Sequence, residues 1–291
     1  MERLRQGALQ IDFGSYSFVI RSDFSIVGEA IESLYGDFES RPLDDFVDYE
    51  ISTSRRPLLD RFNKSVTLLL NGHPLYGRFT DRQLVAYLEW GLNWCIWNHT
   101  VDQLTLHSAV LERESHALFL VGESGAGKST LCATLALNGW RLLSDELGLI
   151  NLDSHEVHGL ARPIALKNDA INLIKGNWPD VTFGPTSLDT PKGTVAHMRP
   201  PTDSVARVRE SAQPRWICFP RWRPEPGPPH VEERDPGQSL MHLAHQSFNY
   251  RMLGETGFRV LVALTRACRC FEFHYHNLDD AIAFFETLPD E

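Results

Sequence analysis

Residues 122–130 read GESGAGKST, a run of small residues closed by a lysine and a serine. Glycine at 122, 125 and 127 lets the backbone turn so that successive N–H groups face one centre. Lys128 adds a positive charge there, and Ser129 adds a hydroxyl able to bind a divalent cation. Gly122, four residues, then Gly127-Lys128-Ser129 is the spacing of a phosphate-binding loop, with Glu123, Ser124, Gly125, Ala126 and Thr130 completing the cradle. Seventeen residues beyond Lys128, Asp145 and Glu146 interrupt the apolar run WRLLSDELGLI. Paired carboxylates in such a run are costly to bury unless a cation meets them, which points to magnesium; a solvated strand end is the alternative. His107 precedes Gly122 by 15 residues. Residues 183–201, FGPTSLDTPKGTVAHMRPP, carry Lys192, His197 and Arg199 among glycines and prolines. Cations on such a segment either close over a transferring phosphoryl group or belong to an ordinary solvated loop.

These groups must be positioned by local elements. The apolar run 118–121 predicts a strand feeding the loop, and Leu131, Leu135 and Leu137 with Ala133 and Ala136 predict a helix after it that Gly139 ends. Phosphates in the loop would then face a helix N-terminus. Residues 104–113 and 116–121 read as strands around Glu114-Ser115, and 140–150 as the next strand. Upstream, alternation predicts a hairpin of 8–13 and 16–21, a helix from Ser25 to about Gly36, and strands at 47–52 and 66–70. The last of these runs into the turn Asn71-Gly72. Thr80 and Gln83 resemble a capping box for a helix through Leu84, Leu88, Leu92, Cys95 and Ile96; Trp90, Trp94 and Trp97 on it read as core or interface. Downstream, 157–167 reads as an edge strand or bend, 168–175 as a short helix and 216–219 as a strand. Helices at 239–253 and 258–267, a strand at 268–275 and a helix capped by Asn277 follow.

The composition suits large packed cores: 291 residues, 42% hydrophobic and 10% aromatic. A formal charge of −10 argues against nonspecific nucleic-acid or anionic-lipid binding, which needs a positive surface. No run approaches a membrane span and the first residues lack an apolar signal core, so no membrane insertion and a cytoplasmic location are expected; homo-oligomers stay open. Five cysteines include Cys268 and Cys270, two apart on a strand, read as buried thiols.

A histidine before the loop and an acidic pair in the next strand resemble the catalytic domain of HPr kinase/phosphorylase. Over a longer stretch, EWGLNWCIWNH, LLSDELGLI, RPIALKN and KGTVAHMRPP look like the bacterial group called HPr kinase-related kinase A. The resemblance implies an α/β fold with a P-loop HPr kinase-like core and a mixed sheet over 101–291; the strands and helix read upstream make 1–100 a small α+β domain, which does not look like the regulatory domain of HPr kinases. It implies an ATP- and magnesium-dependent kinase with a serine of a protein or peptide as acceptor. A small-molecule kinase and a nucleotide-binding regulatory or assembly module are the alternatives. By motif position Lys128 and Ser129 match the loop lysine and magnesium-ligating hydroxyl, His107 the family histidine, Asp145 the acid that accepts the acceptor's proton, and Glu146 the metal-side acid. The second acid is Glu where HPr kinases usually have Asp. Lys167, Lys192 and Arg199 are further candidates for phosphate or acceptor contacts.

Overall fold

The structure, a computed structural model, describes residues 8–41, 43, 46–55, 65–123 and 125–288. It is a mixed α/β protein with mixed sheets that divides into two compact units, Met1–Ile96 with Ala165–Arg199, and Trp97–Ile164 with Pro200–Glu291. Residues 165–199 group with the N-terminal unit.

In the first unit, strands β1 (Leu9–Asp12), β2 (Ser17–Arg21), β3 (Ser40–Arg41), β4 (Tyr49–Arg55), β5 (Ser65–Leu70) and β6 (His73–Pro74) form a sheet in the order β3-β1-β2-β4-β5-β6. β7 (Phe79–Thr80) pairs with β5. Asn71 and Gly72 take φ values of 47° and 82°, the left-handed pair that a tight hairpin turn between β5 and β6 requires. Helix α1 (Ser25–Tyr35) buries Val27, Ala30, Ile31 and Leu34. Helix α2 (Leu84–His99) is entered through a short 3₁₀ turn, where the Thr80–Gln83 capping box forms.

The insertion 165–199 adds a three-stranded sheet, β13 (Ile164–Lys167), β15 (Gly193–Met198) and β14 (Ser187–Thr190), and helix α4 (Asp169–Asn177). Residues 183–201, expected as a loop, therefore contain a hairpin. Gly193 supplies the left-handed turn at φ 82°, Thr190 Oγ1 donates to Gly193 O at 2.6 Å, and residues 195–198 are buried. Residues 157–167, expected as one edge strand or bend, split into β12 (Val157–His158) and β13, which belong to different sheets.

The second unit is built on an eight-stranded sheet in the order β12-β11-β8-β9-β16-β18-β17, with β10 also paired to β8. Its strands are β8 (Gln103–Arg113), β9 (His116–Val121), β10 (Arg141–Ser144), β11 (Leu147–Asn151), β16 (Gln213–Trp222), β17 (His230–Glu233) and β18 (Arg269–Tyr275). Leu118, Phe119, Leu120 and Val121 on β9 are fully buried, each worth about 1.5–3 kcal/mol. Ala117, Phe119 and Val121 join a core with Val260, Leu261 and Leu264 of helix α7 (Tyr250–Ala267), while Leu118 and Leu120 point to the other face. Helix α3 (Lys128–Leu137) packs on β8, β9 and β10, beside helix α8 (Leu278–Thr287). Asn277 caps α8, its Oδ1 accepting from Asp280 N at 2.8 Å. Two further helices, α5 (Thr202–Ala206) and α6 (Pro236–His245), complete the unit. The break before α7 falls at 246–249, earlier than the expected one; Gly254, at φ 57°, adds a kink inside α7.

Candidate phosphate-loop site

β9 delivers the glycine-rich loop to the start of α3, and both glycines that must turn do so: Gly125 at φ 90° and Gly127, the N-cap of α3, at φ 87°. A side chain at Gly127 would also collide with Tyr275, since its Cβ would lie 2.9 Å from Tyr275 Oη. Lys128 is 8% exposed, and its Nζ donates to the carbonyl oxygens of Gly122 and, at 3.1 Å, of Glu123. The ammonium is thereby held against the loop. Ser124 lies outside the described residues.

The acidic pair sits where one strand breaks into two. β10 and β11 both pair antiparallel with β8, Arg141 opposite Glu112 and Leu147 opposite His107, and the chain bends between them at Asp145-Glu146. Because β9 is also antiparallel to β8, β10 ends in the same direction as β9, which brings the acids to the end of the sheet that carries the loop. Gly148 permits the close packing just beyond the bend, because a Cβ there would lie 2.5 Å from Ser108 Oγ. Ser129 Oγ donates to Asp145 Oδ2 at 3.2 Å. The pairing expected on sequence joined Ser129 to Glu146, whereas the contact found is with Asp145. Asp145 is buried at 6% exposure and Glu146, one residue on, is half-buried. On α3, burial pushes the Cys132 thiol well up, and the charge of Asp145 adds to it.

His107 is tied to the loop through a residue that the sequence analysis missed. Its backbone N–H donates to Gln246 O at 2.8 Å, and its Nδ1 lies 3.3 Å from Gln246 Oε1. Gln246 Nε2 in turn donates to Glu123 Oε1 at 3.0 Å. With the amide nitrogen committed to Glu123, the amide oxygen faces His107 and accepts from its Nδ1. Gln246 follows α6, inside a stretch whose apolar period reads as continuous helix, so no local signal marks it.

No family model matches this chain, and no curated protein matches it.

The remaining candidate cations belong to the first unit, where Lys192 and Arg199 have partners. Lys167 ends β13. Lys192 Nζ lies 4.9 Å from the centre of the Trp90 ring, a cation–π contact. Arg199 pairs with Asp37, its Nε 3.0 Å from Oδ2, and His197 is buried at 1% exposure. The Cys268 and Cys270 thiols are raised chiefly by burial, as fits buried thiols. Among the described residues no helix is long and apolar enough to cross a membrane.

Proposed function

We propose that the second unit is the core of an ATP- and magnesium-dependent phosphotransferase that passes the γ-phosphoryl group to a hydroxyl, most simply a serine in a protein or peptide. One observation carries it: the hydroxyl of Ser129, in a complete phosphate-loop sequence, meets the buried carboxylate of Asp145 at 3.2 Å. A loop hydroxyl with a strand-end carboxylate is the donor set magnesium takes when phosphates and water supply the rest, so these residues fit the ion. Once bound, it would offset charge on the phosphate oxygens.

The chain's own groups divide the remaining work. Backbone N–H groups of the loop and the Lys128 ammonium cradle the phosphates. Ser129 and Asp145 take the metal side, which reverses the roles that the family resemblance implies for the two acids. Glu146, half-buried where Asp145 is buried, takes the acceptor side and accepts the hydroxyl proton on its carboxylate. His107, held by Gln246, orients that side of the site. Little covalent chemistry is required, because positioning and charge neutralisation lower most of the barrier.

The test is incubation with γ-labelled ATP, magnesium and arrayed serine peptides. Wild type labels a subset, and Lys128→Ala loses transfer by about 10² or more while remaining folded. Label confined to small hydroxyl compounds would make this a small-molecule kinase, and binding without turnover would make it a regulatory module.

A further inference from the structure

The sheet is asymmetric about the loop. On one side of β9 stands β8, with β10, β11 and the acids beyond it; on the other stand β16 and β18. Both run parallel in the same sense as β9, with Cys218 opposite both Leu120 and Phe271, so their carboxyl ends lie at the loop end of the sheet. A nucleotide whose terminal phosphate faces Ser129 and Asp145 extends its nucleoside away from the acids. It then crosses the carboxyl ends of β16 and β18, where ligands of such sheets bind.

Trp222, the last residue of β16, stands at that place. It is 53% exposed, so much of its indole is open to contact. Yet it is held firmly: Nε1 donates to His276 O at 2.9 Å. The next residue is fixed as well, Arg223 N donating to Tyr275 O at 2.8 Å and Arg223 Nε to His274 Nδ1 at 3.1 Å. The base of the side chain lies close to the loop, since a Cβ on Gly127 would lie 3.7 Å from Trp222 Cβ. A pinned, half-open indole beside the N-terminus of α3 is arranged to receive a flat aromatic ligand without losing side-chain freedom on binding.

We propose that Trp222 is the stacking platform for the base of the nucleoside triphosphate whose phosphates occupy the loop. This rests on the phosphate-loop assignment above, and the test separates the two. Binding of Mg-ATP and of inorganic tripolyphosphate with magnesium is measured by calorimetry for wild type, Trp222→Ala, Trp222→Phe and Lys128→Ala. Base stacking predicts that Trp222→Ala weakens ATP by about tenfold or more and leaves tripolyphosphate unchanged, that Trp222→Phe keeps most of the affinity, and that Lys128→Ala weakens both ligands. If Trp222→Ala binds ATP as wild type does while Lys128→Ala does not, the platform is wrong and the loop assignment stands. Equal weakening of both ligands by Trp222→Ala would assign the ring to shaping the loop, and that overturns stacking too. If wild type binds neither ligand, both assignments fall.

Discussion

Asp145 and Glu146 are neighbours in sequence but not in environment. The first is buried against Ser129 and the second is half-buried at the bend between β10 and β11. A residue pattern shows that two carboxylates interrupt an apolar run; only the bend decides which of them meets the loop. The same holds for Gln246, which lies 139 residues from His107 and 123 from Glu123 yet links the two. Such pairings depend on where α6 ends relative to β8, and nothing local encodes that. Removing the link should take one hydrogen-bond partner from the His107 ring and one donor from Glu123. Gln246→Ala is expected to lower turnover by about tenfold, with Mg-ATP affinity nearly unchanged. Comparing turnover with calorimetric ATP affinity checks this; a loss of affinity equal to the loss of turnover would assign Gln246 to the loop alone.

At the scale of elements, those with local chemistry were legible. Asn71-Gly72, the Thr80–Gln83 box, Asn277 and the strand–loop–helix around Gly122 each carry their own turn or cap residues. Residues 183–201 were not, because proline and glycine at 185, 191 and 193 read as loop while the hairpin is set by Gly193 and by burial of 195–198. The joining of 165–199 to the first unit likewise has no local signature. The β8–β10 pair contains a buried ion pair: Glu112 and Arg141, both with side chains 3% exposed, bond to each other, and Arg141 Nη1 donates to the carbonyl oxygens of Arg207 at 2.9 Å and Glu210 at 3.1 Å. Glu112 also accepts from Ser115 N in the turn before β9. Removing one partner strands a buried charge, so Glu112→Ala should lower stability by about 3–5 kcal/mol in urea unfolding. A loss under about 1 kcal/mol would mean that water reaches Arg141.

For the molecule as a whole, two histidines set a pH dependence. The His242 pKa is lowered from 6.5, first by burial and then by Arg234, with Arg221 and His245 adding to it and Glu123 opposing. That of His274 is lowered from the same value, again first by burial and then by Arg223, against Glu232 and Glu272. A depressed folded pKa means that the unfolded chain takes up the proton first. The stability these groups contribute is therefore complete above about pH 6.5 and declines as pH falls below it. The urea midpoint of wild type should drop more between pH 7.5 and 5.5 than that of the His242→Gln/His274→Gln variant; equal drops would remove both from this role. Phosphoryl transfer at the loop is tested most directly by following label from γ-labelled ATP to serine peptides while magnesium is titrated into wild type, Asp145→Asn and Glu146→Gln. Wild type should transfer, Asp145→Asn should recover as magnesium rises, and Glu146→Gln should stay about 10² slower at every concentration. Recovery of Glu146→Gln but not of Asp145→Asn would reverse the two acids, and a wild type that transfers no label at any magnesium concentration would contradict the proposed reaction.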